Sequence, residues 1–291
     1  MEEFKDKIVV ITGAGGGIGK SHALEFARRG AKVVVNDLGG SADGVGASDA
    51  ADEVVDEIKA AGGIAIANKA SVSDRDGAKS IIDDAVAEFG TVDILVNNAG
   101  ILRDKSFKKM TLDDWDIVMN VHLNGTAYVT HAAWPIMYDK NFGRIVLTSS
   151  TSGIFGNFGQ ANYGAAKMGM LGLMNVLALE GASHNVKVNT LAPAAATRLT
   201  NTVPGRDEDL DHPDPERGPE LVTPAVLFMC RDEAPTGKII QAGNGRFSYA
   251  AVFSNEGVVH GVDASYEKLL EDDELVSDMS GAEEGWWRRR G

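Results

Sequence analysis

Tyr163 and Lys167 stand four positions apart in a stretch whose apolar residues recur at helical spacing, so both side chains project from one helix face. A free phenol has a pKa of about 10 and is a poor base at neutral pH. An ammonium group beside it favours the phenolate and makes proton abstraction from an alcohol feasible. Ser150 lies upstream at the end of an apolar run, where its hydroxyl can hold the oxygen that loses that proton. Tyr-x-x-x-Lys on its own is usually an exposed helical pair. Here the meaning comes from the residues that precede it.

Near the start of the chain, Thr12-Gly13-x-x-x-Gly17-Ile18-Gly19 leaves an apolar run and enters a helical pattern. Glycine clusters also close ordinary turns, but strand, glycine turn and helix in this order form the setting in which a pyrophosphate can approach the backbone. The free N–H groups and partial positive charge of the helix start then face the phosphates. Asp37 ends the next apolar run, where a carboxylate accepts hydrogen bonds from adenosine ribose hydroxyls and repels a 2′-phosphate. No Lys or Arg falls within 13–19 or directly after Asp37, so NAD is expected over NADP.

The elements that position these groups follow from the period of the apolar pattern. Continuous apolar runs at 7–12, 31–36, 63–68, 92–96, 144–148 and 186–191, with a short one at 238–241, predict buried strands. Helical spacing predicts helices over 20–29, 50–60, 74–89, 111–138, 163–183 and 219–229. This alternation predicts an α/β fold, a doubly wound Rossmann-type parallel sheet of about seven strands with helices on both faces. Residues 200–218, rich in Asp, Glu and Pro, read as a lid or a plain connector at the carboxyl edge. Domain 1–245 then holds the cofactor and the chemistry. Residues 246–291 form an extension packed on the same domain or on a dimer partner. In the extension, 246–253 and 258–261 flank a turn at 254–257 and read as a hairpin, and 266–279 reads as an acidic amphipathic helix. Trp286-Trp287 and the three arginines after them read as a frayed terminus.

Composition narrows the function classes. The 291 residues carry a net charge of −14, which speaks against a nucleic-acid partner. No run of about 18 uncharged apolar residues exists to span a membrane. The first residues lack the apolar core of a secretory signal, and the single cysteine forms no internal disulfide, so a cytoplasmic location is expected. The histidines show no ligand spacing, and no metal is expected.

Taken together, Thr12-Gly13-x-x-x-Gly17-x-Gly19, Asn97-Asn98-Ala99-Gly100, Ser150 with Tyr163-x-x-x-Lys167, and Pro193 with Thr197 resemble the classical short-chain dehydrogenases/reductases across residues 4–245. The stretches 35–40, 98–104 and 153–163 are similar, more closely, to the (3R)-hydroxyacyl-CoA dehydrogenase domains of peroxisomal multifunctional enzymes of type 2. The resemblance implies NAD-linked oxidation of a 3-hydroxyacyl-CoA, with Tyr163 as base, Lys167 as its cation and ribose anchor, and Ser150 as donor to the substrate oxygen. It implies cofactor contacts from Gly13, Gly17, Ile18, Gly19, Asp37, Ser71, Val72, Asn98, Ala99, Gly100, Pro193 and Thr197. It further implies a homodimer or homotetramer, with the long fourth and fifth helices as a subunit face and a tail that helps shape the substrate pocket. Three positions depart from the wider family: His122 stands where most members have Asn, Ser71 where they have Asp, and Ala194 where Gly usually follows Pro193. Rival readings are a steroid or other secondary-alcohol dehydrogenase, a 3-oxoacyl thioester reductase, and a non-enzymatic dinucleotide sensor. The intact Ser–Tyr–Lys set weighs against the last.

Overall fold

The computed structural model describes residues 3–195, 214–255, 258–260, 265–272, 278–279 and 282–284. The chain divides into two compact units, 1–249 and 250–291. In the first unit the expected alternation is present: β1 (Ile8–Thr12), α1 (Gly17–Arg28), β2 (Lys32–Asn36), α2 (Ala50–Ala60), β3 (Ile64–Asn68), α3 (Arg75–Phe89) and β4 (Ile94–Asn97). After these come α4 (Leu112–Met119), α5 (Gly125–Asp139), β5 (Gly143–Thr148), α6 (Thr151–Phe155), α7 (Ala161–Glu180) and β6 (Val186–Ala194). The unit ends with α8 (Thr223–Cys230), β7 (Ile239–Gly243) and β8 (Arg246–Ala250). The strands order as β3-β2-β1-β4-β5-β6-β7-β8, and the ladders from β3 to β7 are all parallel. The chain order reverses between β1 and β4, which opens a crevice at their carboxyl ends.

Burial follows from the composition of these runs. All five residues of β1 and all six of β5 are buried, as strands covered on both faces must be. Phe26 of α1, Val54 and Ile58 of α2 and Val226 of α8 join Val9, Ile11, Val33 and Val35 in one apolar cluster on one face of the sheet. On the other face α3 packs on α5 and α4 on α7. Asp74 caps α3 by accepting from the Gly77 N–H at 2.7 Å, and Thr111 with Asp114 forms a reciprocal capping box at the start of α4.

The structure differs from the sequence expectations at several places. The long helix expected over 111–138 is α4 and α5 joined by a π-helical turn, Asn120–Asn124, whose wider winding turns His122 fully inward. The helix expected from 219 is a short 3₁₀ turn, Pro219–Leu221, followed by α8. The sheet has eight strands, not seven, because the hairpin lies earlier than expected. Asn244 and Gly245 adopt φ of 51° and 68°, the backbone a two-residue hairpin turn requires, and they fold β8 back beside β7. Residues 258–260 carry no strand. In the second unit Phe253–Ser254 (β9) pairs antiparallel with Glu283–Glu284 (β10) instead. The helix expected over 266–279 is described as α9 (Tyr266–Glu271), capped by Ser265, with 273–277 outside the described residues. The segments 196–213 and 285–291, which hold most of the expected lid and the tryptophan–arginine tail, also lie outside them.

Ala194 is accommodated by the neighbouring strand. A Cβ on Gly243 would lie 2.7 Å from the Ala194 Cβ and 2.2 Å from its carbonyl oxygen, so the bare backbone at 243 makes the space that the methyl at 194 uses. At Gly245 an added Cβ meets nothing within 4 Å, and only the positive φ opposes it. Gly245→Ala is therefore expected to cost about 1–2 kcal/mol, a backbone penalty alone. Gly243→Ala adds a steric collision and is expected to lower the melting temperature further. Thermal unfolding of the two variants side by side tests this ordering, and equal shifts would refute the collision.

Candidate active site

The crevice begins at Thr12, the last residue of β1. Its hydroxyl oxygen accepts the N–H groups of Asn98 at 3.0 Å and Ala99 at 3.1 Å, so the end of β1 holds the segment leaving β4. Asn98 returns the connection: its side-chain amide donates to the carbonyls of Thr12 at 3.2 Å and Gly13 at 2.9 Å. Gly13 has φ of 64°, and a Cβ there would stand 2.6 Å from the Ala99 Cα. Gly19 lies behind the turn, not in the crevice lining, because a Cβ on it would be 2.2 Å from the Gly13 carbonyl oxygen. Its role is to let α1 approach the turn. The N-terminus of α1 carries no side-chain cap, so its N–H groups remain available to an anion.

Asp37 bridges the turn and the loop after β2. One carboxylate oxygen accepts the Gly15 N–H at 2.8 Å and the other the Gly39 N–H at 2.7 Å. Gly15 was not singled out by motif spacing, yet a Cβ there would press on the Asp37 carboxylate at 2.9 Å. The loop then crosses toward the end of β4: the Leu102 N–H donates to the Ala42 carbonyl at 3.0 Å, and Arg103 Nε to the Asp43 carbonyl at 2.8 Å. The open cleft between them has a volume of about 300 Å³. Gly13, Gly17, Ile18, Asp37, Ser71, Val72, Asn98, Ala99 and Gly100 all line it, with Leu38 to Ala42 and Ile101 beside them. The glycine turn, the uncapped helix and the Asp37 carboxylate fit a dinucleotide.

Beyond this cleft, Ser150, Tyr163 and Lys167 converge from two elements. Ser150 caps α6 with extended backbone, its Oγ accepting the Ser152 N–H at 3.1 Å, and it makes a side-chain hydrogen bond to Tyr163. Lys167 is 2% exposed. Its Nζ donates to the Thr148 carbonyl at the end of β5 and stands 5.4 Å from the centre of the Tyr163 ring. Burial pushes the Tyr163 phenol up to about 12, opposed by the Ser150 hydrogen bond, and burial lowers the Lys167 ammonium to about 7. The sequence expectation that Lys167 lowers the phenol is thus outweighed by desolvation of the two groups. Pro193 lies at the carboxyl end of β6, paired in register with Ala242, whereas Thr197 falls outside the described residues.

His122 occupies the space between the cofactor-side wall and the phenol. Its ring meets Tyr163 edge-on, with centroids 5.0 Å apart and planes at 90°. Nε2 lies 2.7 Å from the Ile101 carbonyl oxygen, and a Cβ on Gly100 would strike the imidazole at 2.4 Å. Burial, then the nearby Lys167 charge, holds the imidazole well below its usual range, so it remains neutral. The departure from Asn at this position fills a snug packing site between the two walls.

Residues 7–209 match the short chain dehydrogenase family. The peroxisomal multifunctional enzyme A of Dictyostelium discoideum is 54% identical over 257 residues, covering 88% of this chain and 56% of that protein. The chain thus spans about half the length of that relative. A short-chain type dehydrogenase/reductase of Mycobacterium tuberculosis is 48% identical over 97% of this chain and 98% of its own. The crystal structure of a short chain dehydrogenase from Mycobacterium avium superposes with a TM-score of 0.81 at 38% identity, covering 96% of this chain and 97% of the other. With the crevice, the glycine turn and the Rossmann-type sheet in place, the chain belongs to the short-chain dehydrogenase family: it is an oxidoreductase that works on a small-molecule substrate with a nicotinamide dinucleotide.

Proposed function

We propose that the enzyme oxidises the 3-hydroxyl of a (3R)-hydroxyacyl-CoA to the ketone, with NAD as the hydride acceptor. The observation that carries the reading is the convergence of Ser150, Tyr163 and Lys167 at the carboxyl ends of the strands, beside a cleft walled by Asp37. Likeness to peroxisomal multifunctional enzymes, with the 98–104 and 153–163 stretches quoted above, supports the thioester substrate.

In this reading the Ser150 hydroxyl donates a hydrogen bond to the substrate's reacting oxygen and orients it. Tyr163 takes the hydroxyl proton. Lys167 anchors the ribose on the nicotinamide side and supplies positive charge beside the phenol. The dinucleotide, when bound, accepts the hydride and adds a cationic ring that favours the phenolate. The free N–H groups of α1 would hold the pyrophosphate, and Asp37 the adenosine ribose. Both Asp37 oxygens are already aligned by backbone N–H groups, which sets the position of a carboxylate that would repel a 2′-phosphate.

A half-buried phenol pushed up to about 12 also sets the sign of the pH dependence. Oxidation needs the deprotonated base, so kcat/KM in that direction should climb as pH rises toward the phenol's midpoint in the dinucleotide complex, while reduction shows the opposite slope.

Tyr163→Phe removes the proton acceptor and keeps the ring that packs on His122. Turnover is expected to fall by about 10²–10⁴-fold, with dinucleotide affinity little changed by fluorescence titration. Retained turnover would point to another base. Asp37→Ala is expected to reduce the NAD-over-NADP ratio of kcat/KM by about tenfold, a change of about 1.4 kcal/mol, and an unchanged ratio would remove Asp37 from cofactor choice. Reduced-cofactor formation with (3R)- and (3S)-hydroxyacyl-CoA, beside a steroid alcohol, tests the substrate. The (3R) thioester should be turned over fastest.

A further inference from the structure

Asp104 lies in the segment between β4 and α4 and is held against the residues that lead into α7. The Lys105 N–H donates to the Gly159 carbonyl at 2.9 Å, and the Asn162 side-chain amide donates to the Arg103 carbonyl at 3.3 Å. Asn162 in turn accepts the Tyr163 N–H at 2.8 Å, so the backbone on both sides of Asp104 is bonded to the backbone and side chains flanking the phenol. One Asp104 oxygen accepts a hydrogen bond from Gln160 at 2.6 Å, and Gln160 is itself held by the Asn157 amide at 3.0 Å. The other Asp104 oxygen is buried and has no hydrogen-bond partner among the described residues.

The cations beside Asp104 in sequence are engaged elsewhere. Lys105 Nζ pairs with Asp114 at 2.7 Å, while Arg103 bonds the Asp43 carbonyl and reaches toward Asp114 at 3.9 Å. Among the described residues the carboxylate's one hydrogen bond is therefore to a neutral amide, and no counter-ion pairs with it. Three groups stand beside the phenol: the Lys167 amine on its own helix, the neutral His122 on the π-helical turn and the Ser150 hydroxyl at the start of α6. A fourth, the Asp104 carboxylate from beyond β4, is held by Gln160, three residues before Tyr163. Lys167 and Asp104 carry charges of opposite sign when ionised.

We propose that Asp104 is a positioning residue that acts through Tyr163, opposing Lys167 and setting where on the pH scale the phenol exchanges its proton. The inference rests on Tyr163 being the general base. Asp104 raises the phenol, and burial likewise pushes the Asp104 carboxyl above its usual range. A negative charge here holds the proton on the phenol, the state that protonates a ketone oxygen. Lys167 favours the phenolate that oxidation requires. The balance between the two lets one tyrosine serve both directions of a reversible reaction.

Asp104→Asn keeps the shape and removes the charge. The midpoint of the rising limb of kcat/KM against pH, measured in the oxidation direction, is expected to move down by about half to one unit. Well below that midpoint the variant would turn over about three- to tenfold faster than the parent enzyme. Thermal stability should hold or rise, because a half-buried charge that desolvation disfavours is gone. A second measurement needs no substrate: the phenolate absorbance of the dinucleotide complex, taken as the difference from Tyr163→Phe, should titrate at lower pH in Asp104→Asn. Superimposable titrations, an upward shift, or a variant that fails to fold would each overturn the proposal, the last by assigning Asp104 to structure alone. If the parent enzyme turns over none of the hydroxyacyl or alcohol substrates, the proposed reaction fails on its own, and the absorbance titration still decides Asp104.

Discussion

The reciprocal bonding of Thr12 and Asn98 is the constraint on which the rest of the cofactor-side architecture depends. Two parallel strands, β1 and β4, end side by side where the chain order reverses, and their departing segments must diverge without leaving buried backbone groups unpaired. Thr12 accepts two N–H groups from the β4 side, and Asn98 donates to two carbonyls on the β1 side. The glycine turn is thereby fixed at its root, and α1 can enter close enough that Gly19 has no room for a side chain. Asp37 is then set by N–H groups from that same turn and from the loop after β2. The crevice is a consequence of hydrogen bonding at the strand ends, and the uncapped start of α1 at its edge follows from it.

On the opposite side of the crevice, burial is the governing force. Lys167 and His122 are withdrawn from water and Tyr163 is half-buried, and each shifts toward its neutral form: the phenol upward, the ammonium and imidazole downward. An amine and a phenol brought near one another do not by themselves make a base in a dry pocket. Their protonation depends on every other charge and dipole that reaches them, which is why the backbone carbonyl of Thr148, the Ser150 hydroxyl and the Asp104 carboxylate matter to the chemistry. Position along the strands brings these groups together, and the surrounding dielectric determines what they do.

Packing explains the sequence departures at His122 and Ala194. His122 replaces a smaller amide, and the chain widens one helical turn and keeps glycine at 100 to seat it. Ala194 adds a methyl where β6 ends, and Gly243 on the neighbouring strand provides the space. At Ser71 the side chain lines the cleft and bonds Ser73 at 2.9 Å, leaving a hydroxyl where the wider family offers a carboxylate.

The order of strands and helices, the parallel sheet, the glycine turn and the i, i+4 spacing of Tyr163 and Lys167 were all legible in the amino-acid order. Burial on both strand faces and helical periodicity are local patterns that a one-dimensional chain records. The earlier hairpin was legible too, since Asn244-Gly245 is a strong turn signal, but the longer apolar run after it drew the boundary past it. What lay beyond reach were contacts between residues far apart in the chain. Gly15 beneath Asp37, Asn98 on Gly13, His122 against Tyr163 and Asp104 on Gln160 have no spacing rule, because each depends on how separate crossover units meet at the sheet's carboxyl edge. The direction of the Tyr163 and Lys167 shifts also belonged to tertiary structure alone, because desolvation is a property of what surrounds a group in space and not of its neighbours in sequence.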